Sequence, residues 1–241
     1  MKLTIIIPNY NREHFLKKCL HSCLNQSYEN YQLIFIDNES SDESLKIANE
    51  IQAESSKKFI IDTALNIYPH CWEECVDKAM QYIDGDFFTI VGSDDWIDFD
   101  YLKKFHDWLS KQNEEILAVQ SSLLWVKNNE NINLTNHEYD GINDLKLKLI
   151  NGCYVNTPTM FYNKKLIDMG LYKTRSDLYS GAADYDFYCK LVDNNIYIHN
   201  MNEWIGYFYH VHENQATWSM NKNIINYSKI ITKKWKNKWK I

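Results

Sequence analysis

The sequence predicts an α/β fold with a mostly parallel central sheet that is flanked by helices. In the first hundred residues, short apolar runs alternate with segments whose apolar residues recur at helical spacing. With only 7 Gly and 3 Pro in 241 residues, no flexible linker is expected to divide the chain. Strands and helices that alternate in this way indicate parallel strands joined by right-handed crossovers.

The front part of the chain contains four predicted strands and three predicted helices. The strands are expected at residues 3–8, 33–36, 59–61 and 87–91, and the helices at 15–24, from residue 40 onward, and at 71–82. Ser40 and Glu43 have the spacing of a capping box, which would start the second helix. In the third helix, Trp72 falls on the same apolar face as Cys75.

The back part has a less regular order of elements. Helices are predicted at 101–111, 144–150 and 184–194, and strands at 117–126, 159–162, 196–198 and 207–211. The polar segment 127–143 is interpreted as a loop or a hairpin. We expect one domain over residues 1–241, with a front half at 1–100, a mixed half at 101–215 and a helical, basic extension at 216–241.

The composition is that of an ordinary globular protein with a small acidic excess. The 26 basic and 32 acidic residues give a net charge of −6, which argues against a nucleic-acid-binding protein. The first apolar run is too short for a signal peptide, and no stretch reaches the ~20 apolar residues of a membrane span. We therefore expect a cytoplasmic protein with reduced thiols. The pairs Cys19/Cys23 and Cys71/Cys75 could bind metal, but we expect small apolar packing residues.

Polar side chains follow three of the predicted strands, in segments 8–12, 37–40 and 92–95. The carboxyl ends of parallel strands share one edge of a sheet, and ligands bind at that edge. In the first segment, Tyr10 offers an aromatic face for a base, and Arg12 offers a cation for a phosphate.

The other two segments contribute carboxylates. Asp37 suits a base N–H group or a ribose hydroxyl. Asp94 and Asp95 supply the hard oxygen ligands that Mg²⁺ and Mn²⁺ prefer. Each acid taken alone could be a turn or helix-capping residue, but their joint placement favours a nucleotide site. The chain has neither GxGxxG nor GxxxxGK[ST], which argues against a Rossmann dehydrogenase and a P-loop NTPase.

Four motifs occur in the order P-x-Y-N, S-x-L-x-Q-x-Y, D-x-x-S-x-D and S-D-D-W. Their sequences IIIPNYNR, LKKCLHSCLNQSYENYQLIFIDNESSDES and GDFFTIVGSDDW resemble the inverting family 2 glycosyltransferases of the GT-A fold. The resemblance extends over residues 3–100 and resumes at 156–195. It implies a GT-A nucleotide-diphospho-sugar transferase, with a nucleotide-binding half at 1–100 and an acceptor-side half at 101–215.

The resemblance also implies roles for individual residues. Those expected to bind the nucleotide-sugar are Pro8, Tyr10, Arg12, Asp37 and Asp94. The metal, Mn²⁺ or Mg²⁺, would be held mainly by Asp95, with Asp94 second and His212 near the metal or a phosphate. Asp184 would be the general base that deprotonates the acceptor hydroxyl. The chain departs from the family pattern at Asn38, Gly92 and Ala183, where acids are common, and at Trp72, near a common Arg.

The expected reaction moves a sugar from a UDP-sugar to a hydroxyl of a glycan or lipid-linked glycan, with inversion and metal assistance. Two aromatic residues, Trp96 and Tyr179, are expected on the acceptor side. Residues 229–240 contain six lysines with Trp235 and Trp239 on one helical face. This segment could lie on an anionic membrane, at the inner face of which the protein would then be peripheral, or it could be a solvated terminal helix.

Two other functions fit the same residues. A sugar nucleotidyltransferase also uses a parallel sheet, carboxylates and Mg²⁺, but it normally has a glycine-rich basic loop where this chain has PNYNR. The departures at Gly92 and Ala183 leave open a catalytically weakened nucleotide-sugar-binding protein.

Overall fold

The computed structural model describes residues 1–67, 71–215 and 225–241. Within these ranges the strands are β1 Leu3–Asn9, β2 Tyr31–Asp37, β3 Phe59–Thr63, β4 Phe87–Ile90, β5 Trp96–Ile97, β6 Ala118–Lys127, β7 Glu130–Thr135, β8 Phe161–Asn163 and β9 Ile198–His210. The helices are α1 Glu13–Leu24, α2 Ser44–Glu54, α3 Cys71–Met80, α4 Tyr101–Leu109, α5 Gly141–Leu149, α6 Lys165–Asp168, α7 Ser176–Tyr179, α8 Ala183–Asp193 and α9 Tyr227–Trp239. Two short 3₁₀ helices lie at Thr157–Thr159 and Ser180–Ala182.

All these strands join one sheet in the order β3-β2-β1-β4-β8-β6-β9-β5, with β7 paired to β6. The first four strands are parallel, as the alternation of strands and helices predicts. From β8 onward parallel and antiparallel pairs mix, so the parallel character is confined largely to the front half. The segment 127–143 contains the hairpin strand β7.

The sheet is covered on both faces, which explains why its inner strands are continuous apolar runs. All seven residues of β1 and all seven of β2 are buried. Ile5 and Ile7 pack in one core layer together with residues of α1, α2 and α4. Ile6 packs in the opposite layer with residues of α3, α8 and α9. This double cover fixes the register of the strands whose ends form the candidate site.

Two details of the helices differ from the sequence prediction. Helix α2 begins at Ser44, whose N–H donates to Asp42 Oδ1 at 3.0 Å, and the side chain of Glu43 makes no capping hydrogen bond. Ser40 instead donates its hydroxyl to Asp37 Oδ1 at 2.7 Å, so the capping-box prediction was wrong. Trp72 is 43% exposed, whereas Cys75 is buried. Because α3 follows β3, a parallel strand, the helix begins on the side to which the carboxyl ends of these strands point.

Two further differences concern the back half. The strands predicted at 196–198 and 207–211 are parts of the single strand β9, whose register against β6 shifts near Ser121 and Ser122. The chain at 157–159 is a 3₁₀ turn that leads into β8.

Residues 225–241 of the predicted C-terminal extension pack on the rest of the protein through helix α9, whereas residues 216–224 lie outside the described ranges. Ile231 and Trp235 of α9 are buried in the same core layer as residues of α8. The tryptophan face of this helix is therefore occupied by the protein itself. In the ranges that the structure describes, no helix combines the length and the apolar character needed to cross a membrane.

The described cysteines of the two predicted pairs lie in the core. Cys19 and Cys23 are buried with free thiols, and Cys75 is buried as well. The side chain of Cys71 lies outside the described part of the chain.

Candidate active site

The site begins with two loops that leave the sheet side by side. In the parallel register Asn9 lies opposite Asp37, so the loops after β1 and β2 start at one level. Asn9 Nδ2 donates to Asp37 Oδ1 at 2.9 Å, and the backbone N–H of Asn11 donates to Ser40 Oγ at 2.9 Å. The second oxygen of Asp37 accepts from the N–H of Ser40 at 2.8 Å. Asp37 is buried, so its carboxylate holds the two loops together.

Arg12 joins three loops at the same edge. Its Nε donates to Asp94 Oδ2 at 3.0 Å, which connects the loop after β1 to the loop after β4. Its Nη1 donates to the carbonyl of Tyr10, and its Nη2 donates to the carbonyl of Asn214, beyond β9. The predicted convergence of strand ends is thus present, with the segment after β9 as a further contributor.

Asp94 lies between two nitrogen groups. His212 Nε2 is 3.0 Å from the same Oδ2 that accepts from Arg12. Burial alone would raise the pKa of Asp94, but the hydrogen bond from His212 and the charge of Arg12 together lower it. Asp94 is therefore ionised at neutral pH. His212 Nδ1 is buried and has no hydrogen-bond partner among the described residues.

Asp95 points the other way, into the protein. It is 4% exposed, and its two oxygens accept from the hydroxyl of Tyr207 at 2.7 Å and from the N–H of His210 at 2.8 Å. Burial and the neighbouring charge of Asp94 raise the pKa of Asp95 well above its usual value. Both oxygens thus fasten β9 to the acidic turn, which leaves Asp95 less accessible than Asp94 to a metal ion.

Gly92 leaves the space that this arrangement needs. A Cβ atom at position 92 would stand 2.8 Å from Asp95 Oδ2 and 3.2 Å from Asp94 Oδ1. The N–H of Gly92 also donates to the Tyr207 hydroxyl at 3.0 Å. The departure from the family pattern at this position is therefore coupled to the inward orientation of Asp95.

Asp184 lies at the start of α8, in a separate part of the back half. Its Oδ2 accepts from the hydroxyl of Thr157 at 2.6 Å, and its Oδ1 accepts from the N–H of Tyr185 at 2.7 Å. Strand β8 runs antiparallel to β4 with Phe161 opposite Thr89, so the turn at Thr157 lies just beyond the carboxyl end of β4. Burial raises the pKa of Asp184, which suits a group that must accept a proton.

The remaining predicted residues differ in accessibility. Tyr10 is 45% exposed directly after β1, so its ring is open to a ligand. Pro8 is buried within β1 rather than standing at the edge. It lies past the last residue that pairs with β4, where β1 needs no N–H donor on that side.

Both aromatic residues expected on the acceptor side contact other side chains of the protein. Trp96 stacks with Phe208 at 5.6 Å between ring centroids, and Lys18 Nζ lies 2.9 Å from the Trp96 centroid. Tyr179 is buried, and its hydroxyl accepts from Lys234 Nζ at 3.3 Å.

Sequence reasoning missed several residues of the site. Tyr207 has no motif around it and is distant in sequence from Asp95. Thr157 gave no signal except its place near the second stretch of family resemblance. Trp72 was noted as a departure, and its side chain is 43% exposed in the first turn of α3.

Across the described ranges 1–67, 71–215 and 225–241, no three His, Cys, Asp or Glu side chains are grouped to hold a metal ion. A cation at Asp94 would therefore need ligands from a bound phosphate as well.

Known proteins resemble this chain in sequence and in fold. An uncharacterized glycosyltransferase of Haemophilus influenzae is 37% identical over 102 residues, which cover 42% of this chain and 40% of that protein. The Escherichia coli protein named UDP-Glc:alpha-D-GlcNAc-diphosphoundecaprenol beta-1,3-glucosyltransferase WfgD is 28% identical over 169 residues, which cover 70% of this chain and 56% of that protein. The matched part thus spans well under two thirds of either relative.

Staphylococcus aureus TarS (1–349) in complex with UDP-GlcNAc superposes with a TM-score of 0.71 at 20% identity, covering 93% of this chain and 62% of that one. This likeness gives the chain the GT-A fold. The family described as Glycosyl transferase family 2 matches residues 4–170, more than half of the sequence. The chain belongs to glycosyl transferase family 2.

Proposed function

We propose that this protein transfers a sugar from a nucleotide-diphosphate sugar to an acceptor hydroxyl, with inversion at the anomeric carbon. The observation that carries the proposal is the contact of Arg12 and His212 with the ionised Asp94, where the loops after β1, β4 and β9 meet. Two nitrogen groups beside a carboxylate suit a diphosphate that a cation bridges to the protein. One sheet joins both halves of the chain, which supports treating them as one catalytic unit.

The donor is a UDP-sugar in this proposal. The name of the E. coli relative contains UDP-Glc, and the TarS structure contains UDP-GlcNAc. The exposed ring of Tyr10 would stack on the base, and Arg12 would contact the phosphates. Asp37 supports this site by holding the loops of β1 and β2 together, and Pro8 supports it as part of the strand beneath.

The metal, Mn²⁺ or Mg²⁺, would be held by Asp94 rather than Asp95. Asp94 fits because it stays ionised and its Oδ1 has no hydrogen bond to a described residue, whereas both oxygens of Asp95 are used inside the protein. His212, which contacts Asp94, has a further polar atom, Nδ1, without a hydrogen-bond partner among the described residues. When bound, such a cation neutralises charge on the leaving diphosphate.

Asp184 acts as the general base. Its carboxylate takes the proton of the acceptor hydroxyl while that oxygen bonds to the anomeric carbon. The bond between the anomeric carbon and the diphosphate oxygen breaks on the opposite face, so the configuration inverts. Thr157 and the N–H of Tyr185 orient the carboxylate for this step.

The acceptor would be a glycan or a lipid-linked glycan, since the name of the E. coli relative contains a diphosphoundecaprenol acceptor. Trp72 is a better candidate than Trp96 or Tyr179 for a sugar-stacking residue, because its side chain is 43% exposed in the first turn of α3, the helix that follows β3. Trp72→Ala should raise the KM for one of the two substrates and leave the melting temperature nearly unchanged. Wild-type kinetics in this variant would remove Trp72 from the site.

A peripheral position at the inner face of a membrane is part of the same proposal. Three lysines on the outer face of α9, and one just after it, form what we call the lysine stripe: Lys229, Lys233, Lys236 and Lys240. Its members have no carboxylate partner among the described residues, unlike Lys234 and Lys238. Such a stripe suits the anionic headgroups around a lipid-linked acceptor.

Transfer by the Asp184→Asn variant tests the central step. The variant should bind UDP as the wild type does and lose transfer by about 10²–10⁴-fold, because the general base is gone. Proton NMR of the wild-type product should show the anomeric configuration opposite to that of the donor. Retention of configuration, or transfer at the wild-type rate by Asp184→Asn, would overturn this mechanism.

A further inference from the structure

The C-terminal helix α9 is hydrogen-bonded to the beginning of α8 through the buried carboxylate of Asp186. Asp186 Oδ1 accepts from Lys234 Nζ at 2.7 Å and from Trp235 Nε1 at 2.6 Å. The Asp186 side chain is only 9% exposed, and Trp235 is buried. The two donors fix the orientation of this carboxylate. Removing either of them would leave the negative charge of Asp186 poorly compensated in a low-dielectric site.

The same arrangement is repeated at the other end of α8. Asp193 accepts from Lys238 and from Trp239 Nε1, the latter at 3.1 Å. The two Lys-Trp dyads are four residues apart in α9, and the two aspartates are seven apart in α8. Both spacings keep each set on one helical face, so the two helices are joined at two points. The second point is more exposed, with 21% of the Asp193 side chain accessible.

Only the first of these points lies beside the proposed base. Asp186 follows Asp184 by two residues in the first turn of α8. The residue between them, Tyr185, is also held by α9, since its hydroxyl lies 3.0 Å from Thr232 Oγ1 and bonds the carbonyl of Leu149. Two consecutive residues after Asp184 are thus fixed by the C-terminal helix.

We propose that Asp186 is a positioning residue, and that the Lys234-Trp235 dyad of α9 holds the first turn of α8 so that the Asp184 carboxylate points at the acceptor hydroxyl. The inference rests on the proposed role of Asp184. The second dyad, on Asp193, fastens the far end of the same helix and has no part in orienting the base. Catalysis depends on such orientation, because a misplacement of 1 Å can cost about 100-fold in rate.

The two dyads provide a matched test. Trp235→Phe and Trp239→Phe each keep an aromatic ring in the same helix and each remove one N–H donor to an aspartate of α8. Trp235→Phe should lower kcat on the order of 10-fold, with the KM for the donor unchanged. Trp239→Phe should keep the wild-type kcat. Both variants are assayed as full-length protein well below their melting temperatures, so that lost stability does not lower the folded fraction.

The pH dependence of kcat gives a second readout that a purely structural role would not change. In Trp235→Phe the acid limb of the profile should move, because the surroundings of Asp184 change, whereas in Trp239→Phe it should stay in place. Asp186→Asn against Asp193→Asn repeats the comparison from the other side of each contact. Equal kcat values in all these variants and the wild type would overturn the inference, as would equal losses in both members of a pair.

The outcome is separable from that of the proposed function. If Asp184→Asn is inactive while the two dyad variants behave alike, only the positioning role of Asp186 fails. If Asp184→Asn transfers sugar at the wild-type rate, the base assignment itself is wrong.

Discussion

Asp94 and Asp95 are adjacent in the chain, yet they face opposite environments. Asp94 Oδ2 meets Arg12 and His212 at the sheet edge, and Asp95 is enclosed by Tyr207 and the backbone of His210. The difference in pKa direction has the same origin, since two nitrogen groups lower one pKa while burial raises the other. Asp94 is thus available to bind a ligand, and Asp95 stabilises the acidic turn.

This contrast predicts the metal dependence of nucleotide binding. In Asp94→Asn, Mn²⁺ should no longer strengthen the binding of UDP, because the ionised ligand is lost. In Asp95→Asn, the Mn²⁺ effect should persist, because both oxygens of Asp95 are bonded inside the protein and Asp94 is unchanged. Calorimetric titration with UDP, with and without Mn²⁺, measures both. A Mn²⁺ effect that survives in Asp94→Asn and disappears in Asp95→Asn would reverse the assignment.

The ionisation of Asp184 is expected to affect both the stability of the protein and its transfer rate. Its pKa in the folded protein is raised by burial above the value of 3.8 that an ordinary Asp has. Such a group favours folding in its protonated form, so its contribution to stability is complete below pH 3.8 and is lost as the pH rises through the raised pKa. Asp184→Asn cannot ionise and should therefore melt higher than the wild type at pH 7, with no such advantage near pH 3.

Paired thermal melts across this pH range check the sign, and the transfer rate of the wild type should fall as the pH drops through the same pKa. The variant should lose transfer while it gains stability. If Asp184→Asn instead melted below the wild type at pH 7, the ionised carboxylate would stabilise the fold, and the expected cost of burying its charge would be absent.

For individual residues, the sequence predicted which side chains lie at the candidate site better than it predicted how those side chains are oriented. Tyr10, Arg12, Asp94 and His212 all lie at the predicted edge. The choice between Asp94 and Asp95 could not be made from the sequence, because it depends on Tyr207, which lies 112 positions away from Asp95 in the chain. The contacts of Trp96 could not be predicted for the same reason, since Phe208 and Lys18 come from other elements.

The strands and helices follow local rules wherever burial is uniform. Strands β1 and β2 were predictable because a strand buried on both faces is an unbroken apolar run. The start of α2 was not, because the Ser40 hydroxyl has a stronger partner in Asp37 than in the helix. The packing of α9 was also not predictable, since lysines and tryptophans at helical spacing do not reveal which surface the tryptophans cover.

The docking of α9 predicts how the protein responds to truncation. Ending the chain before Tyr227 removes the buried side chains of Ile231 and Trp235, which contribute about 2–5 and 3–5 kcal/mol respectively. That sum is comparable with the 5–15 kcal/mol of a whole domain, so the truncated protein should lose its cooperative thermal transition. Removing only residues 240–241 is the control and should leave the transition in place. A truncated chain that melts like the full one would show that α9 adds little to the core.

The charge of the whole molecule is distributed unevenly. The protein has a net charge of −6, yet the lysine stripe concentrates unpaired positive charge on the outer face of one helix. Lysines close to an anionic membrane contribute about 1 kcal/mol each, so the four together could change the affinity about 1000-fold. The full chain should therefore sediment with vesicles that contain anionic lipids and stay in solution with neutral ones, and added salt should release it.

Replacement of the four stripe lysines by Gln should abolish this binding. The control replaces four other exposed lysines by Gln, Lys46, Lys58, Lys103 and Lys165, each of which has a carboxylate partner. Both variants have the same net charge, so a difference between them reports where the positive charge lies and not how much of it there is. If the two variants bind vesicles equally, or if the wild type binds neutral vesicles as well as anionic ones, the lysine stripe is not a membrane contact and the outer face of α9 is only solvated.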